Sequence, residues 1–157
     1  MIKDVVGISV AALICLLAGV IGSVFTYPAI PVWYAALNKP FFNPPNWIFG
    51  PVWTALYIMM GASVYLIWNK RKEGIEATKG LVVFAGQLFL NIIWSVVFFG
   101  YKDLFFGLLI IIFLWALILI CMVQFGKLSR NAMLLLVPYI VWVSFAAILN
   151  AAFWLMN

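Results

Sequence analysis

Long apolar runs separated by short polar or proline-rich breaks dominate this chain. Five runs, at about residues 5–27, 46–69, 79–100, 103–125 and 130–155, match the roughly 20 mostly apolar residues a helix needs to cross a hydrocarbon core. The breaks are legible: "YPAIPVWYAALNKPFFNPP" is a long first connector, "NKRKEGIEATK" a charged second, "GYKD" a tight third and "GKLSRN" the fourth. The pattern predicts an all-α integral membrane protein. Residues 1–157 form one domain, an antiparallel bundle of five transmembrane helices. No internal repeat is evident, and an odd number of helices argues against a two-fold inverted duplication.

Composition supports the same class. Hydrophobic residues make up 68% of the chain, and nine basic plus four acidic side chains are too few to coat a soluble domain. The formal charge of +5 points to topology and anionic lipid rather than nucleic acid, because the basic residues lie at the N-terminus and in connectors. Lys3, Lys70, Arg71, Lys72, Lys79, Lys127 and Arg130 fall on one face of the membrane; Lys39 and Lys102 fall on the other. This bias predicts a multi-pass cell-membrane protein with a cytoplasmic N-terminus, and with the first connector and the C-terminus outside. The first apolar run leads into "TYPAIP" rather than a small-x-small cleavage site, so it reads as a spanning helix and not a signal peptide.

The first connector and its flanks concentrate rigid and aromatic residues. "WYAALNKPFFNPPNWIFGPVWTALY", residues 33–57, holds four prolines and three tryptophans. Pro40, Pro44 and Pro45 each fix φ and remove a donor, so this stretch cannot run on as one helix. Residues 32–38 suit a short helix, Asn46 suits a cap for the second span, and Pro51 sits where amides lack acceptors anyway. The expectation is a stiff loop that covers the bundle mouth and partly lines a pocket. An interfacial aromatic anchor is the competing reading.

Tryptophan depth bears on that choice. Trp47, Trp68 and Trp154 lie near span ends, where belt anchoring accounts for them, whereas Trp94, Trp115 and Trp142 lie deeper. A mid-membrane indole N–H needs a partner or a ligand; for Trp115, simple packing is the preferred account. Gln87, Asn91 and Ser95 recur at helical spacing in the third span with Trp94 beside them, a stripe that must face the bundle interior. Trp142, Ala146 and Asn150 share a face of the fifth span, where Pro138 predicts a kink. Trp53, Tyr57 and Gly61 form the matching face of the second. Ala146 and Gly61 leave room that tryptophans wall, an arrangement suited to a planar apolar ligand. Interhelical hydrogen bonding is the alternative for Gln87 and Ser95.

Several chemistries are disfavoured. Histidine is absent, and Asp4, Glu73, Glu76 and Asp103 all sit at span ends or in connectors. Coupled transport, hydrolysis and metal binding therefore lack their usual groups. Cys15 and Cys121 lie in apolar runs and read as packing residues. Ala18, Gly19, Gly22 and Ser23 permit close helix approach, either across a homodimer seam or within one bundle.

"WYAALNKPFFNPPNWIFGPVWTALYIMMG", "GQLFLNIIWSVVFFG" and "PYIVWVSFAAILN" resemble the translocator protein family, also called tryptophan-rich sensory proteins or peripheral-type benzodiazepine receptors. The likeness runs from about residue 19 to residue 154 and suggests a bacterial member. It implies a five-helix bundle that binds porphyrins, and in animals cholesterol and isoquinoline-carboxamide or benzodiazepine drugs. It also implies, as in some bacterial members, light-dependent breakdown of protoporphyrin IX and a part in stress or tetrapyrrole regulation. By position, the family's pocket residues match Trp53, Asn91, Trp94, Trp142, Ala146 and Leu149, with Tyr34 and Pro44 in the loop motif. Indole-assisted photochemistry would fall on Trp53 and Trp142, without a metal or resident cofactor. A family tryptophan early in the fourth helix is Phe106 here, which alters one wall of the expected pocket. The cholesterol pattern at the end of the fifth helix is broken at Ala151 and Leu155. Passive movement of tetrapyrroles and a ligand-modulated sensory role are the competing function classes.

Overall fold

Backbone amides within a bilayer have no water to bond, so apolar runs of this length fold as helices that satisfy themselves. A computed structural model of the chain describes residues 2–157, apart from the side chains of Ile2 and Glu73; the sequence reading of Glu73 thus lies outside the described side chains. Five helical segments are long and apolar enough to cross a membrane: Lys3–Tyr34, Asn46–Trp68, Ile75–Gly100, Leu104–Leu128 and Arg130–Met156. The protein is a multi-pass membrane protein.

Helix α1, Ile2–Ala29, runs on into a π-helical turn, Ile30–Tyr34. Helix α2, Phe49–Trp68, follows a 3₁₀ turn at Asn46–Ile48. Helix α3, Ile75–Ser95, also ends in a π-helical turn, Val96–Gly100. Helix α4 is Leu104–Leu128, and the fifth span consists of α5, Arg130–Leu135, and α6, Val137–Met156. Packing closes these into a ring: α1 lies on α2 and α3, α4 on α3 and α6, and α2 on α5.

Three boundaries differ from the sequence pattern. The pattern ends the first span near residue 27, whereas the helix passes through Pro28 and Pro31 to Tyr34, so no separate helix forms at 32–38. The wider π turn accommodates this: the amide of Ala35 donates to the carbonyl of Ile30, five residues back. The third span begins at Ile75 rather than near 79. Gly74 breaks the chain at φ 140°, which favours glycine, and an ion pair from Lys79 to Glu76 at 2.8 Å supports the new first turn. Asn46 does not cap α2; it opens the 3₁₀ turn and makes no capping bond. The kink expected at Pro138 is present as the break at Leu136 between α5 and α6.

Tight packing of α1 on α2 rests on glycine. A Cβ on Gly61 would stand 2.3 Å from the Ala12 Cα, and one on Gly7 would overlap the Tyr65 ring. Gly61 therefore serves backbone contact with α1 and leaves no room for a ligand, contrary to the sequence reading. Gly19 is closed by the Tyr57 ring, Gly22 by Ser95, and Ala18 is buried in the core, so three of the four small residues of α1 are used inside the bundle. Asp103 caps α4 by accepting from the Phe106 amide at 2.9 Å, and Ser129 caps α5 through Ala132.

Candidate ligand cavity

Toward the end that carries the first connector, a cavity of about 490 Å³ lies between α1, α2, α3 and α6. Helix α2 contributes Trp53 and Tyr57, whose rings lie 5.6 Å apart, α3 contributes Asn91 and Trp94, and the π-helical turn after it contributes Phe98. From α6 come Trp142, Ala146 and Leu149; Tyr34 stands at the end of α1. The Trp94 and Phe98 rings stack at 5.1 Å, Phe49 meets Trp142 edge-on at 5.9 Å, and Tyr34 meets Phe153 at 5.2 Å. No charged side chain lines the cavity among the described residues. Such a site selects flat apolar molecules by contact area and orients them with a few neutral polar groups.

Those polar groups are fixed by one another. Tyr57 Oη donates to Asn91 Oδ1 at 2.5 Å, Asn91 Nδ2 donates to Tyr139 Oη at 3.2 Å, and Tyr139 Oη donates to Gln87 Oε1 at 2.8 Å. Trp94 Nε1 donates to Asn150 Oδ1 at 3.2 Å, and Asn150 Nδ2 to the Leu104 carbonyl at 2.8 Å. The stripe of Gln87, Asn91 and Ser95 does face inward, but only Asn91 and Ser95 reach the cavity. Gln87 is interhelical glue behind it. Trp142 Nε1 and Gln87 Nε2 are buried without a partner among the described residues. Trp115, by contrast, donates to Ser144 at 2.8 Å across α4 and α6 and lies outside the lining.

Seven of the nine residues singled out from the sequence come together here: Tyr34, Trp53, Asn91, Trp94, Trp142, Ala146 and Leu149. Pro44 and Phe106 do not. Pro44 stiffens the connector, where its carbonyl accepts from the Asn43 side chain at 3.2 Å. Phe106 is 57% exposed, because the inward face of α4 is carried by the next residue, Gly107, packed under Phe98 and Asn150. Connector residues 37–45 line nothing themselves but are fastened over the bundle end. Tyr34 Oη donates to Asn43 Oδ1 at 2.7 Å, the Asn38 amide donates to Asn157 Oδ1 at 2.8 Å, and Asn157 Nδ2 returns a bond to the Asn38 carbonyl at 3.1 Å. The α1 wall, including Gly19, Gly22, Ser23, Thr26 and Ile30, escaped sequence reasoning. Its only signal was the small-residue spacing, which fits a dimer seam equally well.

Comparison with known proteins agrees with this architecture. The chain is 43% identical over 148 residues to tryptophan-rich protein TspO of Chlorobaculum tepidum, covering 94% of each chain. It is 41% identical over 152 residues to the protein of the same name from Archaeoglobus fulgidus, covering 94% of this chain and 95% of the other. Human translocator protein is 36% identical over 138 residues, with 87% of this chain and 82% of that protein covered. The profile of the TspO/MBR family matches residues 11–155. With its five spans and the tryptophan-walled cavity between them, this chain belongs to the TspO/MBR family.

Proposed function

We propose that the cavity binds protoporphyrin IX and related flat hydrophobic ligands, isoquinoline-carboxamide-type compounds among them, and that light drives degradation of the bound porphyrin. The observation that carries this reading is the wall of Trp53, Trp94, Trp142, Tyr34 and Tyr57 around about 490 Å³ of uncharged space, within the usual range for small-molecule sites. In this reading the indole of Trp53 or Trp142 gives one electron to the excited porphyrin, leaving an indole radical cation and a porphyrin radical anion, and dioxygen is the oxidant consumed in breakdown of the ring. Asn91 and Ala146 set its orientation and fit, and the chain acts through tetrapyrrole level in stress regulation. Its orientation follows the basic residues, with the N-terminus in the cytoplasm.

The deciding experiment is illumination of purified protein with protoporphyrin IX, followed by porphyrin absorbance. Loss of absorbance that slows in Trp53→Phe or Trp142→Phe while dark binding persists supports the chemistry; loss at the same rate in both variants contradicts it. A passive carrier for tetrapyrroles is the second reading. It is favoured by the exposed lining residues Tyr27, Trp47 and Thr54, which open the cavity sideways between α1 and α2. Porphyrin flux across protein-containing vesicles, absent when Ala146→Trp fills the cavity, supports that reading; equal flux in the variant contradicts it.

A further inference from the structure

A second concavity, about 260 Å³, lies between the last turns of α1 and the π-helical end of α3, and shares only Phe99 with the cavity lining. We propose that it holds one anionic phospholipid, with the phosphate on Lys102 and Trp33 and an acyl chain along α1. The groove walls are apolar: Phe25, Pro28 and Ala29 from α1 and Val32 from the π-helical turn after it, with Phe99 opposite. Pro28 contributes a ring and no amide donor. Gly100 permits the close approach of the Phe25 ring on the far side, since a Cβ there would come 2.9 Å from it.

Two donors at this groove have no partner among the described residues. Lys102 is exposed, and its ammonium makes no ion pair or hydrogen bond; the neighbouring carboxylate, Asp103, is engaged at the Phe106 amide. The Trp33 ring packs edge-on against Phe98 and Phe99 at 5.5 and 6.3 Å, and its N–H donates to nothing in the chain. A cation and a neutral N–H donor among the lining of an apolar trough match a phosphodiester joined to an acyl chain. No acidic residue lines the groove, so charge complementarity favours an anionic headgroup over a zwitterionic one.

Depth agrees with this. The first span, Lys3–Tyr34, has 32 residues. At 1.5 Å per residue it is about 48 Å long, against about 30 Å of hydrocarbon. That length exceeds the hydrocarbon, so turns at the ends of the span, those that form the groove among them, can reach headgroup level. A free phosphate ion would use Lys102 but not the trough.

The test uses the full chain in a neutral detergent, exposed to an equimolar mixture of phosphatidylglycerol and phosphatidylcholine, washed, and assayed for retained lipid by mass spectrometry. The parent retains phosphatidylglycerol in preference. Lys102→Gln lowers that preference about five-fold. Val32→Trp, at a position 72% exposed and so free of folding demands, lowers retention of both lipids by filling the trough. Lys127→Gln, at the opposite end of the bundle, changes neither. Retention unchanged in Lys102→Gln and Val32→Trp overturns the proposal. An equal loss in Lys127→Gln overturns it in favour of diffuse attraction, and displacement by inorganic phosphate overturns it in favour of a free-anion site.

Discussion

Tyr57 Oη stands 2.5 Å from Asn91 Oδ1, and this bond ties a wall of the cavity to the buried core of the bundle. Both residues line the cavity; Tyr139 and Gln87, the next two groups in the hydrogen-bonded chain, do not. Any ligand that meets Asn91 therefore meets a side chain whose orientation is already set.

Breaking the chain at either end tests that claim. Tyr57→Phe removes one interhelical bond and is expected to destabilise the protein by about 1 kcal/mol, the usual scale in membranes. Asn91→Ala is expected to cost more, since Tyr57 and Tyr139 both lose a partner. Thermal unfolding in detergent measures both, and the double variant should be less destabilised than the sum of the singles, as for residues in contact.

Gly61 is the second test. The nearest atoms to an added Cβ are backbone atoms of α1, which cannot step aside cheaply. Gly61→Ala should lower stability by about 1–3 kcal/mol. Gly86→Ala, where the nearest atom is Leu117 Cδ1 at 3.7 Å, should be close to neutral in the same melt.

Much of this was legible in the sequence, for identifiable reasons. Apolar length is a direct physical requirement of the bilayer, so the five spans could be counted before any contact was known. The inward stripe of Gln87 and Asn91 was readable because amides facing lipid are penalised. What could not be read was how a small residue is used. Gly61 and Ala146 look alike on paper, yet one closes against Ala12 and the other opens onto a cavity. The run of α1 through Pro28 and Pro31 was hidden for a similar reason: proline ends most helices, and only the π turn, a tertiary accommodation, lets this one continue. Phe106 was carried over by position from the family's fourth-helix tryptophan, and no α4 residue lines the cavity described.

The two indoles Trp94 and Trp142 should behave differently on removal of the N–H. Trp94→Phe breaks the bond to Asn150 and is expected to lower stability by about 1 kcal/mol. Trp142→Phe removes a buried N–H that has no partner, so stability should hold or rise slightly. A melt of both variants checks this, and a stable Trp142→Phe protein is a clean background for ligand measurements.

Position on α4 gives a negative prediction. Phe106→Ala should leave porphyrin affinity unchanged, because this side chain points away from the cavity lining. An affinity loss of ten-fold or more, about 1.4 kcal/mol, would mean that the ligand reaches beyond the cavity described.

The most direct measurement is a dark titration of intrinsic tryptophan fluorescence with protoporphyrin IX, comparing the parent with Ala146→Trp, which fills the cavity, and with Phe106→Ala. The account predicts saturable quenching in the parent and in Phe106→Ala, and its loss in Ala146→Trp. Quenching that never saturates, or that Ala146→Trp leaves intact, would contradict a porphyrin site in this cavity.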